Sequence, residues 1–170
     1  MWLYRLILLF MLSSCGFSAL QDNVKFSSVE VVVTGVNRND NDYDLSQDLK
    51  KIFSLDKSKS PAYRLEVVLT RVVNGYVESN FSNFTRMRVT FTANYKLINI
   101  KTGQVLLEDS SADTESFDQS FSLEYSNLVA EKYSEHNSLR MIAGEISTRV
   151  KAFFLYEEKN SNGERSSNAN

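Results

Sequence analysis

Cys15 is the only cysteine of the chain, and it stands in Leu12-Ser13-Ser14-Cys15-Gly16, directly after an apolar run. A thiol at that place can accept a diacylglycerol, and the amino group released by cleavage before Cys15 can then be acylated. Arg5 supplies a positive n-region, Leu6 to Leu12 a short h-region, and Ser13-Ser14 are small enough for a peptidase to reach the bond. Two or more acyl chains anchor stably, whereas one binds a membrane only marginally. A spanning helix needs about 20 apolar residues, more than Met1 to Leu12 offers. Residues 1–14 are therefore expected to be a lipoprotein signal peptide, with Cys15 as the acylated mature N-terminus. The residue after it is Gly16 rather than Asp, so nothing argues for retention in the inner membrane, and the mature protein is expected to be anchored in the outer membrane, on its periplasmic side.

No second constellation offers catalysis. His136 is the single imidazole, and its spacing puts it near a helical stripe rather than beside a nucleophile. There is no Gly-rich phosphate loop, no G-x-S-x-G elbow and no H-E-x-x-H. Asp113, Glu115 and Asp118 read as a solvated run on a strand end and loop. The chain is expected to be no enzyme and to need no cofactor or metal. Asn80-Phe81-Ser82 and Asn83-Phe84-Thr85 match the glycosylation pattern but read more simply as loop. Phe81 and Phe84, followed by Arg86 and Arg88, carry more weight. Aromatics beside guanidinium groups fit a ligand with acyl chains and phosphates, or a protein interface. The competing reading folds both phenylalanines onto the core.

Charge and composition narrow the classes. The signal holds one of the 19 basic residues, so the mature chain keeps 19 − 1 = 18 against 21 acidic ones, a net charge of −3. No nucleic-acid partner is expected from that balance. With Cys15 acylated there is no disulfide, and one His with one Cys excludes a His/Cys zinc cluster. Six Gly and one Pro favour a few long elements over many short ones.

The elements that would position these residues follow from periodicity. Residues 15–26 read as lipidated N-terminus and tether, 27–157 as one domain and 158–170 as a disordered polar tail. Val29, Val31 and Val33 alternate in a first strand. Asp44 and Gln47 form a capping box for a helix with Leu45, Leu49, Ile52 and Phe53 on one stripe. A second strand runs from Tyr63 toward Tyr76. Met87, Val89, Phe91, Ala93, Tyr95 and Leu97 alternate strictly with Arg88, Thr90, Thr92, Asn94 and Lys96 in a third. Asn99 to Gly103 is a hairpin turn into a fourth strand, 104 to about 114. From Tyr125 the period becomes helical, through Leu128/Val129, Tyr133, His136, Leu139, Ile142, Ile146, Val150 and Phe153, with a flaw near Glu135 to Ser138. The order β-α-β-β-β-α predicts an α+β two-layer sandwich. Two helices cover one face of a mixed, largely antiparallel four-stranded sheet, and the other face is left to water or a partner.

Cys15-Gly16-Phe17 ahead of that element order resembles the LptE-like lipopolysaccharide-assembly lipoproteins, in particular their alphaproteobacterial branch. The likeness runs from Cys15 to about Tyr156. Its specific points are Tyr63-x-Leu65-x-Val67-x-Leu69, Ala93-x-Tyr95-x-Leu97 before Thr102-Gly103, Tyr125-Ser126 with Ala130-Glu131, and Arg140 to Phe153. Two departures are Ser18-Ala19-Leu20-Gln21 in place of a Pro-Leu-Tyr-like run and a more polar helix. The resemblance implies a non-enzymatic lipoprotein that plugs the β-barrel LptD, assists its assembly and binds lipopolysaccharide at basic residues. The nearest positions here are Arg86, Arg88 and Lys132. Two other classes compete: a periplasmic binding lipoprotein of another envelope lipid-trafficking system, and an envelope hydrolase.

Cys15→Ser removes the only acceptor for the diacylglycerol. The variant is expected to lose metabolic labelling by a fatty-acid analogue; equal labelling of variant and wild type contradicts the assignment.

Overall fold

Valine and aromatic residues at period two, broken once by a helical stripe, produce the order β1 (Val29–Gly35), α1 (Asn41–Ile52), β2 (Tyr63–Tyr76), β3 (Phe84–Asn99), β4 (Val105–Ser120) and α2 (Glu124–Ser167) in a computed structural model of the chain. The structure describes residues 29–35, 40–53, 60–76, 84–120 and 123–167. The signal peptide, Cys15, the tether and Phe81 lie outside the described residues. The sheet order is β1-β2-β3-β4. β1 runs parallel to β2, because α1 provides the crossover that a parallel pair requires. β2–β3 and β3–β4 are antiparallel. The α+β order expected from the sequence is the order observed.

One face of the sheet is the core. Leu65, Val67 and Leu69 of β2 and Val89, Phe91, Ala93, Tyr95 and Leu97 of β3 are buried there. Leu45, Leu49 and Phe53 of α1 cover one side, and Leu139, Ile142, Ala143, Ile146 and Val150 of α2 cover the other. Each full burial of a Leu, Ile or Val contributes about 1.5–3 kcal/mol relative to exposure. At one end Tyr63 meets Phe154 edge-on, ring centroids 4.9 Å apart.

Two turns explain the strand ends. Gly35 has φ 152°, and a Cβ there would lie 2.1 Å from the Leu69 carbonyl oxygen, so β1 stops where it crowds β2. Gly103, at φ 71°, closes the β3–β4 hairpin. Its N–H donates to the Asn99 carbonyl at 2.8 Å, while Asn99 Oδ1 accepts from the Lys101 N–H at 3.0 Å.

Several expectations need correction. α1 starts after Asp40, in the left-handed region at φ 59° with no side-chain cap. Asp44 sits one turn inside, its N–H donating to the Asp40 carbonyl at 2.9 Å. β3 and β4 are each 16 residues long, so Asp113, Glu115 and Asp118 lie in a strand rather than a loop. α2 is continuous through Glu135–Ser138 and runs to Ser167, across the stretch expected to be a disordered tail.

The inner stripe of α2 changes character along its length. Tyr125, Val129 and Tyr133, placed on that stripe from periodicity, are 80%, 49% and 68% exposed, and His136 is exposed as well. The buried positions of this half are Ser134, Glu135 and Ser138. They face inward because the opposing strands present polar partners: Ser138 Oγ donates to Asp113 Oδ2 at 2.6 Å. Further on, Ser111 Oγ donates to Glu145, and Arg149 bridges Asp109 and Glu145. α2 thus sits on β4 through a hydrogen-bonded seam and on β3 through apolar contact.

Tyr95, 1% exposed, lies opposite Asp109 in the β3–β4 register. Burial, and after it the Asp109 charge, push its hydroxyl up to about 12. A folded-state pKa above the unfolded value of about 10 stabilises the fold below pH 10 and is lost as pH rises toward 12. Stability in denaturant melts is expected to fall between pH 10 and 12, and Tyr95→Phe to flatten that decline. An identical alkaline slope in the variant removes Tyr95 as its cause.

Candidate functional site

Period two along β3 sends Val89, Phe91 and Ala93 to the core, so Arg86, Arg88, Thr90, Thr92, Asn94 and Lys96 share the opposite face. Among the described residues no element covers that face; Val68 and Val72 on it are 51% and 48% exposed. The strand register sorts it into three zones. Nearest the start of β1, Arg64 Nε donates to Glu30 at 2.9 Å and Lys96 Nζ pairs with Glu108 at 2.9 Å. The centre is small and neutral, with Thr70, Thr92 and Ala112 in one row and Val72, Thr90 and Thr114 in the next. The Thr90 and Thr114 hydroxyls are 3.0 Å apart. A shallow depression of about 410 Å³ between Glu66, Val68, Asn94, Lys96 and Ser110 marks the border of these two zones.

The third zone holds the arginines. Arg88 lies between Asn74 and Ser116, and Arg86 between Tyr76 and Asp118. Both side chains are exposed and stand two residues apart on one face, about 7 Å along the strand. Tyr63, paired with the first residue of β1, precedes Asn74 by eleven positions, so the arginines sit about 35 Å from the start of β1. Phe84 is the first residue of β3.

Lys132 belongs to the other layer. Its Nζ is 3.4 Å from Glu135 Oε2 on α2, on the core side of the sheet. The structure therefore brings Arg86 and Arg88 together and separates Lys132 from them. What holds Glu135 is Arg71, at the inward position that follows Leu65, Val67 and Leu69. Arg71 Nε donates to Glu135 Oε1 at 2.7 Å, and its Nη2 donates to Glu131. The Glu135 side chain is 1% exposed and Arg71 14%. Sequence reasoning missed this cluster, although two signals were present: a charge at an inward β2 position, and a polar break in the α2 stripe.

Chemically, the outer face presents hydroxyls, carboxamides and guanidinium groups. Among the described residues no group of three His, Cys, Asp or Glu is placed to hold a metal ion. No described helix is long and apolar enough to cross a membrane. His136 is exposed on α2.

The chain matches no family model and no curated protein. Its fold recurs in solved structures. It is similar to a candidate lipoprotein from Caulobacter crescentus, with TM-score 0.58 and 18% identity over 80% of this chain and 94% of the other. It is also similar to a candidate neuraminyllactose-binding hemagglutinin homolog from Helicobacter pylori, with TM-score 0.50 and 8% identity over 82% and 94%. At such identities the likeness establishes a shared fold.

Replacing one member of a buried ion pair costs about 3–5 kcal/mol, because the other charge is left without compensation. Arg71→Met is expected to lose that much in urea melts, and Arg71→Met/Glu135→Leu to recover most of it. Lys132→Ala, at the exposed outer edge of the cluster, should cost less than about 1 kcal/mol. Additive losses in the double variant would show that the two charges do not depend on each other.

Proposed function

We propose that this chain is an outer-membrane lipoprotein of the LptE type, acylated at Cys15, that plugs and helps assemble the LptD β-barrel and meets lipopolysaccharide at Arg86 and Arg88. The observation that carries this reading is the bare outer face of the sheet. Its central zone is small-residued and polar, which fits a water-filled barrel lumen better than a second hydrophobic core. The described chain enters the sheet at Val29, and the two guanidinium groups lie about 35 Å away at the other end of the same sheet.

Adjacent guanidinium groups on one face are matched to clustered phosphates, each able to bind an oxygen pair. The resemblance that names Lys132 alongside them is not carried into the ligand site here. Its ammonium faces buried Glu135, across the sheet from the arginines.

Full-length protein extracted from outer membranes is expected to co-purify with LptD, identified by mass spectrometry. Binding to purified lipopolysaccharide should weaken with salt and fall about tenfold in Arg86→Glu/Arg88→Glu, for the loss of charge-assisted contacts. Lys132→Glu should leave affinity unchanged. A transporter component co-purifying in place of LptD would move the chain to another lipid-trafficking system. Unaltered affinity in the folded double variant would take the arginines out of any lipid site.

A further inference from the structure

Among the described residues β4 is an edge strand, bonded to β3 and to no other strand. Ser120 shows which of its backbone groups point away from the sheet. Its N–H donates to Asn127 Oδ1 at 2.8 Å and its carbonyl accepts from Asn127 Nδ2 at 2.6 Å. The carboxamide takes the place of the next strand's peptide group. At the other end, the Ser110 N–H donates to Asp109 Oδ1 at 2.8 Å. Backbone groups alternate sides along a strand, so the even-numbered residues of this stretch face outward. Both ends are closed, and Ala112, Thr114, Ser116 and Asp118 between them turn donors and acceptors to the open side.

Exposed edges are normally blunted by lysine, proline, a bulge or shortness. β1, the other edge strand, is seven residues long. β4 has 16 residues with neither Lys nor Pro, and its one irregularity lies near the hairpin, opposite Leu97 and Ile98. Alongside it, between β4 and α2, runs a groove of about 520 Å³ lined by Ala112, Asp113, Arg140, Met141, Gly144 and Thr148. Met141 is 64% exposed, and the position of a Gly144 side chain is open space.

Charge selects the occupant. Within the open stretch β4 carries Asp113, Glu115 and Asp118 and no basic residue, whereas Glu108 and Asp109 before it are paired with Lys96 and Arg149. A second copy pairing edge to edge would set these carboxylates against themselves. We propose that the open stretch Ala112–Asp118 docks an extended, Lys- or Arg-bearing segment of a partner protein as a fifth strand. Main-chain hydrogen bonds supply affinity and alternate side chains supply specificity. Long basic side chains turned toward α2 can lay their stems on Met141, over the space at Gly144, with their charges near Asp113 and Glu115. The site lies along the sheet edge, its Ser116–Asp118 end adjoining Arg88 and Arg86 on β3 and its Ala112–Glu115 part lying beyond them; it does not rest on the lipopolysaccharide reading.

The probe is a fluorescein-labelled peptide of alternating Lys and Thr, titrated against the full-length chain in detergent, with a Glu/Thr peptide for comparison. The Lys/Thr peptide is expected to bind and to slow amide exchange at Ala112, Thr114 and Ser116 in the wild-type chain. Ala112→Pro removes an outward N–H that β3 does not use and should weaken binding about tenfold, whereas Ala112→Val should not. Binding without amide protection, or equal binding of the Glu/Thr peptide, would reduce the edge to a patch of surface charge and overturn the proposal. So would dimerisation that Ala112→Pro abolishes, since the occupant would then be a second copy.

Discussion

The contact between Arg71 and Glu135 sets how the two layers meet. A guanidinium at an inward strand position needs an acceptor within the helix layer, because burying it alone costs far more than any apolar contact beside it returns. Glu135 meets that need at 2.7 Å, and this fixes both the rotation of α2 and its position along the sheet. The rest of the seam follows from that placement: Ser138 on Asp113, Glu145 on Ser111, Arg149 on Asp109. The apolar stripe from Leu139 to Val150 then falls over β3. A slide by one residue would break every one of these pairs at once, whereas an all-apolar interface would tolerate it.

This arrangement spends both amphipathic helices on one face of the sheet. Among the described residues the other face and the β4 edge are left bare. The outer face keeps its charges at the ends and small hydroxyl residues between. The edge keeps its carboxylates and closes only its two ends, with Asn127 and Asp109. These two surfaces are the ones the described residues leave open to a partner. One is broad and flat, fit for a large curved partner; the other is narrow and linear, fit for a single extended segment.

Most of the scaffold was legible, since the core strands follow a strict period of two and no other regular structure hides Val89 to Leu97 on one side. The hairpin at Asn99–Gly103 and the bare face with Arg86 and Arg88 came from the same pattern. The first half of α2 was misread for a definite reason. Periodicity finds the buried side of a helix by its apolar residues, and here the buried positions are Ser134, Glu135 and Ser138 while Tyr125, Val129 and Tyr133 face outward. Polar residues at inward positions make sense only once the partner strand is known.

The sequence by itself therefore determined the element order, the two-layer architecture and the face on which the β3 arginines lie, because these follow from local periodicity. Tertiary structure decided the rest. It placed Lys132 in the layer opposite those arginines, made Glu135 a buried partner of a residue 64 positions away, and left an unprotected edge between two capped ends. All three depend on which strand comes to lie beside which helix. Such long-range pairing is decided by hydrogen bonds and ion pairs that exist only after the chain has folded back on itself.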